Sequence, residues 1–265
     1  SYFSKSKLLD IKRRFADVGL VHKFAQEYLN EARDLENAKF KIDKISNYNH
    51  EFESRNGFAY LVNSEEAIPI NVYMGVDLAY ESGSRHDYQV IMVVGVDSDR
   101  NYYIIDYFRE HFPLYEMPDK IYEYAKDYSP VKRVNVELVG AQGVIKDAVN
   151  KLSGNDRKVM PGVALGVRPP AGIKKEDRLE SLLCPIVNRG KLYIKRKHTE
   201  IVDEMFQFPK SKNDDCMDAL WYAVNNARTP LSKRFDATLF EDKMEKKSNG
   251  SVKTKVVSWM TGQRI

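Results

Sequence analysis

The sequence predicts an α/β fold, a mixed sheet flanked by helices with an N-terminal helical segment ahead of it. Two observations point that way. Between residues 71 and 108, three apolar runs rich in β-branched residues follow one another with only short turns between them. From residue 117 onward, strand-like runs alternate with segments whose apolar positions recur at helical spacing. Continuous or alternating apolar runs mark strands and a 3.6-residue period marks helices, so the two regimes separate along the chain.

Taken in order, residues 1–40 place Leu8, Ile11, Phe15, Val18, Val21, Phe24, Tyr28 and Leu29 at roughly helical spacing among charges. Residues 41–70 loosen into a polar linker around Asn47, Tyr48 and Asn49, with one short apolar segment, FAYLV. Strands are expected at 71–79, 88–96 and 101–108, the last two joined by the turn DSDRN. A helix follows at 117–128 with Pro118 in its first turn, then a strand at 132–138 and a helix at 141–152. A strand at 159–167 and a loop through ALGVRPPAG lead to a helix at 174–188, which Gly190 suits as a C-terminal cap. The strand KLYIK, a helix at 199–206 and a final helix at 213–228 complete the set. The tail from Pro230 is charged and aperiodic. The expected division is a helical linker segment at 1–65, one α/β domain at 66–230 and a flexible tail at 231–265.

Bulk properties narrow the class. A chain of 265 residues with 43% hydrophobic content can bury one principal core. Its longest apolar stretch, VIMVVGV, is too short to span a bilayer, and the N-terminus lacks the apolar centre of a signal peptide, so an intracellular protein is expected. From the start at Ser1, without an initiator Met, a processed or shortened chain is expected. Cys184 and Cys216 form neither a metal motif nor a disulfide framework. Net charge is only +4, so binding to nucleic acid would rest on local basic patches.

Acids stand out against this background. Asp77 lies in VYMGVDLAY and Glu137 in VKRVNVELVGAQG, both strand-like, while Asp215 and Asp218 lie in KNDDCMDALWYA at the start of the last helix. Carboxylates are rarely fully buried unless paired or bound to metal, so three such sites together point to a shared cation. Each has an ordinary alternative. Asp77 could pair with a lysine, and Glu137 could be an exposed strand end. Asp214 reads as a helix N-cap, and Asp87 either shapes the site or sits in a surface turn. Lys174, Lys175 and Arg178 could touch DNA phosphates or form a solvated helix face. His86 and His198 have no supporting spacing and read as surface residues.

Three hairpin-joined strands, then helix, strand, helix, strand and helices, is the element order of a ribonuclease H-like mixed sheet. In detail, GVDLAYESGSRHDYQVIMVVGVD, VNVELVGAQGVIKDAV, AGIKKEDRLESLLCPIVNRGKLYI and NDDCMDALWYA resemble the C-terminal nuclease domain of phage terminase large subunits. FAQEYLNEA resembles the segment that joins that family's ATPase and nuclease domains. The resemblance implies a metal-dependent endonuclease that cuts double-stranded viral DNA during genome packaging. It implies that Asp77, Glu137, Asp215 and Asp218 hold two Mg²⁺ or Mn²⁺ ions, with the division of labour between Asp215 and Asp218 open. It further implies an ATPase domain, portal and small terminase subunit as partners, and a place at the viral procapsid in the host cytoplasm. No GxxxxGK[ST] phosphate loop occurs in this chain, so the motor is not expected in it.

That chemistry suits the residues. Cutting a phosphodiester needs a deprotonated water and a stabilised leaving oxygen, which two divalent ions about 3.5–4 Å apart can supply. Such ions take hard oxygen ligands, and a rigid central strand makes Asp77 the natural bridge. Two rival classes share the fold: an actin-like ATPase, and a DNA-binding or assembly module without activity. The first usually carries a Gly-rich hairpin after its first Asp, where this chain has Asp77-Leu78-Ala79.

Overall fold

The computed structural model describes residues 7, 10, 11, 13–15, 38–78, 88–138, 143–154, 159, 162–211 and 213–230. The chain divides into units 1–230 and 231–265, and the described residues all fall in the first. The expected tail lies outside them, as does most of the helix expected at 1–40, of which residues 7, 10, 11 and 13–15 are helical.

The described residues form a nine-stranded mixed sheet. Its strands are β1 (Ser46–Asn47), β2 (Glu51–Arg55), β3 (Phe58–Val62), β4 (Ala67–Asp77), β5 (Gln89–Val96), β6 (Tyr102–Glu110), β7 (Val131–Glu137), β8 (Ala164–Val167) and β9 (Leu192–Ile194). Among the described residues, five helices of more than one turn flank it: α1 (Met117–Asp127), α2 (Gly143–Gly154), α3 (Lys175–Asn188), α4 (Glu200–Gln207) and α5 (Asp215–Val224). Along the sheet the order is β1-β9-β6-β5-β4-β3-β2, with β7 also on β4 and β8 beyond it.

Strand β4 is the organising element because it is long enough to carry two partners on one edge. Its first residues pair antiparallel with β3, through Ala59↔Ile70 to Val62↔Ala67. Its later residues pair parallel with β7, through Val72↔Val131 to Val76↔Val136. The opposite edge pairs with β5, where Asp77 faces Val90. Strand β5 is buried along its whole length, which explains its unbroken apolar run.

One expectation is corrected. Residues 46–62, read above as linker, supply β1, β2 and β3. Strand β2 is an outer strand with a polar, half-exposed face, so its sequence shows no apolar alternation. Asn56 (φ 50°) and Gly57 (φ 78°) turn the hairpin, with Arg55 paired to Phe58. Asn-Gly is the standard chemistry of a two-residue turn with both central residues left-handed. The turn between β5 and β6 forms as expected. The Asp97 carboxylate accepts the Asp99 and Asn101 backbone N–H groups at 2.8 and 2.9 Å and the Asn101 amide at 2.7 Å.

Alternation along β4 assigns its two faces. Val72, Met74 and Val76 pack with α1 and α2 residues such as Ile121 and Val149. Tyr73 lies on the other face, in the cluster with Leu179, Leu183 and the whole buried side of α5. Gly75 and Asp77 share that second face by the two-residue period. A Cβ at Gly75 would stand 2.0 Å from the Ala219 carbonyl oxygen and 2.3 Å from the Ala223 nitrogen. Glycine at this position therefore lets the α5 backbone lie directly on β4, two residues from Asp77.

Candidate active site

Asp77 ends β4 and Glu137 ends β7. The two strands are parallel neighbours paired up to Val76↔Val136, so both carboxylates emerge at the same end and on the same face of the sheet. Burial is the main influence on Asp77, followed by the like charges of Asp218 and Glu137 and a hydrogen bond shared with Glu137. Together these hold its carboxyl well above the usual carboxylate range.

Helix α5 brings the third acid. Asp218 is almost fully buried, at 3% exposure, and its carboxylate lies between Lys175 and Arg178 of α3. Burial raises its pKa, and the two cations work against that rise. Arg178 is held on every side: its guanidinium bonds Asp218, donates to the Tyr222 hydroxyl at 3.2 Å and stacks 4.6 Å from the Trp221 ring centre. The Tyr222 hydroxyl in turn donates to Glu137 Oε1 at 2.9 Å. Burial and the nearby Glu137 charge push the Tyr222 pKa upward, so the hydroxyl stays a donor. Asn135, two residues before Glu137, donates to the Tyr222 carbonyl oxygen at 2.7 Å and ties β7 to the same helix.

The flanking acids separate into different roles. Asp214 occupies the N-cap position of α5, as expected, but its side chain caps nothing. It accepts from Lys175 Nζ at 2.7 Å instead. The helix end is served by Glu204 of α4, whose Oε2 accepts the Met217 N–H at 3.0 Å. Asp215 points toward Arg109, 3.9 Å away, and Arg109 also lies 3.8 Å from Glu204 Oε1 and 3.8 Å from the centre of the Tyr88 ring. Burial, with the Asp215 charge adding to it, pushes Glu204 up to about 8. Arg109 pairs with Val90, which pairs with Asp77, so this cluster stands two strands from Asp77.

Several sequence expectations thus find a definite place. Asp77, Glu137 and Asp218 come together, and Asp215 flanks them. Lys174 is exposed at the N-terminal end of α3. Arg178 is not: it is buried and faces inward, and Lys175 also turns to the acids. His198 is buried beside Asp106 and Tyr107 rather than on the surface. Asp87 and His86 lie outside the described residues. Tyr222, Asn135, Glu204 and Arg109 had not been singled out from the sequence. Tyr222 lies four residues after Asp218, hence on its helical face, and Glu204 is an acid on the apolar side of α4; these were the available signals.

The donor set matches a hard divalent ion in type, since Asp77, Glu137 and Asp218 offer carboxylate oxygens and a cation among them would relieve the like charges that Glu137 and Asp218 press on Asp77. Among the described residues no three His, Cys, Asp or Glu side chains form a ready metal shell. The reason is visible in the geometry: Lys175 and Arg178 engage both oxygens of Asp218, and Asp215 is drawn toward Arg109.

A mixed sheet with helices on both faces, and acids at adjacent strand ends met by another acid from the last helix, defines a domain of ribonuclease H-like class. Residues 74–227 match the terminase RNaseH-like domain family, and the chain belongs to that family, within the nucleases of this fold. No curated protein matches it. Among solved structures it is similar to the zinc-bound large terminase nuclease of thermophilic phage G20c, at 17% identity over 72% of this chain and 100% of that one, with a TM-score of 0.49. It is also similar to the large terminase nuclease domain of P22, at 14% identity over 68% of this chain and 86% of that one, TM-score 0.43. The Holliday junction resolvase of fowlpox virus matches at 12% identity over 57% and 94%, TM-score 0.36.

Proposed function

We propose that this chain is a divalent-metal-dependent endonuclease that cuts double-stranded DNA during viral genome packaging. The observation that carries the reading is the pair of carboxyls, Asp77 and Glu137, on adjacent parallel strand ends with Asp218 facing them from α5. Asp77 and Glu137 would hold a Mg²⁺ or Mn²⁺ ion between them, and Asp218 and Asp215 are the acids available to a second. When bound, such ions supply an activated water and stabilise charge on the phosphate and leaving oxygen. The protein's own part is positional. The β4–β7 ladder fixes the two carboxylates, and the Tyr222 hydroxyl orients Glu137 by the bond at 2.9 Å. Lys174, exposed beside the site, is suited to a backbone phosphate.

Among the described residues no base-reading element accompanies the acids, so sequence-tolerant cutting fits best, with binding that weakens steeply with salt. In this reading the chain works beside an ATPase domain, a portal and a small terminase subunit, at the procapsid in the host cytoplasm. The test is plasmid cleavage with Mn²⁺ or Mg²⁺ beside a chelator control. Wild type should nick and linearise the plasmid only with metal, and Asp77→Asn should abolish cutting while the fold persists. A fully active Asp77→Asn protein, or cutting that survives chelation, refutes the reading.

A further inference from the structure

The two cations on Asp218 are unlike each other. Arg178 is locked, with a side chain 7% exposed and contacts to Trp221, Tyr222 and Asp218. Lys175 stands at the first residue of α3, after the exposed residues Gly172, Ile173 and Lys174, and its side chain is 43% exposed. It divides its ammonium between Asp214 Oδ1, at 2.7 Å, and Asp218 Oδ2. Burial works against its charge, but Asp218 and Asp214 outweigh that and keep it protonated. Lysine is a compact charge on a flexible stem with no fixed bidentate geometry, so it exchanges partners more readily than arginine. The acids at this spot thus have one fixed internal cation and one that can leave toward solvent.

Resting on the function proposed above, we infer that Lys175 is a displaceable counter-cation that couples DNA binding to metal loading. In the free protein its ammonium occupies Asp218 Oδ2 and excludes a divalent ion from that oxygen. A backbone phosphate arriving beside Lys174 offers Lys175 an anionic partner outside the site. Its departure exposes Asp218 Oδ2 and leaves Asp77, Glu137, Asp214 and Asp218 with less compensating charge, which favours cation entry. Coupling of two ligands is reciprocal, so the ion tightens DNA as much as DNA tightens the ion. The device would limit metal loading, and hence cutting, in protein that holds no DNA.

The test uses three forms of the full chain: wild type, Lys175→Met and Lys175→Arg. Because Lys175 is partly exposed at a helix end, neither variant should lose the fold, and melting curves verify this. Mn²⁺ binding is measured by titration calorimetry without DNA. Lys175→Met should bind Mn²⁺ about fivefold or more tightly than wild type, the lower end of a typical coupling, and Lys175→Arg should stay near wild type. Binding of a labelled 20-base-pair duplex is then measured by anisotropy in chelator and in Ca²⁺. The ion should improve wild-type binding by a larger factor than it improves binding by Lys175→Met. An unchanged or weaker Mn²⁺ affinity in Lys175→Met, or equal gains from Ca²⁺ in both proteins, overturns the inference. If wild type meanwhile binds Mn²⁺ and cuts plasmid, the proposed function stands and only the coupling falls. If wild type neither binds Mn²⁺ nor cuts, both fall together.

Discussion

Replacing Gly75 with alanine tests whether direct contact between α5 and β4 builds the site. The added Cβ would meet the Ala219 carbonyl oxygen at 2.0 Å, the Ala223 nitrogen at 2.3 Å and the Ala223 Cα at 3.0 Å. A carbon and a carbonyl oxygen rest no closer than about 3.3 Å, so the helix must retreat by roughly 1 Å or more. All three obstructing atoms are backbone, and no side-chain rotation relieves them. Overpacking a core by a methyl group costs roughly 1–3 kcal/mol when side chains can adjust, and a rigid helix backbone puts this case at about 3 kcal/mol or above. Removing glycine's extra freedom in a strand returns at most about 1 kcal/mol. For a domain of this size the net loss lowers Tm by roughly 4–12 °C. The same retreat would carry Asp218 and Tyr222 away from Asp77 and Glu137, so Mn²⁺ affinity and plasmid cleavage should fall even well below the melting temperature. Gly95→Ala is the control, because its Cβ would meet the movable Ile70 Cδ1 at 2.8 Å and Ile105 Cδ1 at 3.3 Å. Scanning calorimetry, calorimetric Mn²⁺ titration and cleavage at 25 °C make the comparison. A Gly75→Ala protein that melts within about 2 °C of wild type and cuts at the wild-type rate would show that this contact sets neither packing nor site geometry.

Three other substitutions probe neighbouring links. Asp218→Asn should reduce cleavage by more than the roughly 10–100-fold typical of a group that only orients a ligand, with Asp215→Asn inside that range and Asp214→Asn below it. Equal losses at Asp215 and Asp218 would place both acids on the metal alike. Tyr222→Phe removes the donor to Glu137 Oε1, a bond worth about 1 kcal/mol, so cleavage should fall roughly fivefold with little change in Tm; an unchanged rate would show that Glu137 is oriented by other groups. Glu204 prefers its neutral form in the folded state, so the stability it supplies is present below its ordinary value of 4.5 and lost as pH rises through about 8. That difference corresponds to roughly 3–5 kcal/mol, so wild-type Tm should fall between pH 5 and 9 and Glu204→Gln should flatten that fall. Parallel Tm curves for the two proteins would remove Glu204 from the pH response.

What the sequence revealed depended on how local the physics was. The unbroken apolar run of β5, the Asp97 turn and the Gly190 cap are decided within a few residues, and each appears where the pattern put it. Strand β2 was hidden because an outer, half-exposed strand has no apolar rhythm, although Asn56-Gly57 was a hairpin signal in plain view and FAYLV, which becomes β3, was legible as an apolar segment. The acids were legible as a set because Asp77 and Glu137 interrupt apolar strands, where an unpaired charge is costly. Their partners were not legible, since Lys175 and Arg178 meet Asp218 some 40 residues away, a pairing no local period encodes. The same limit explains the order within NDDCMD. Helical spacing puts Asp215 and Asp218 on neighbouring faces of α5 and cannot say which one turns to the strand ends. That choice is made by Gly75, which seats the helix at Ala219 and Ala223, and so presents the residue just before Ala219, Asp218, to Asp77 and leaves Asp215 to Arg109.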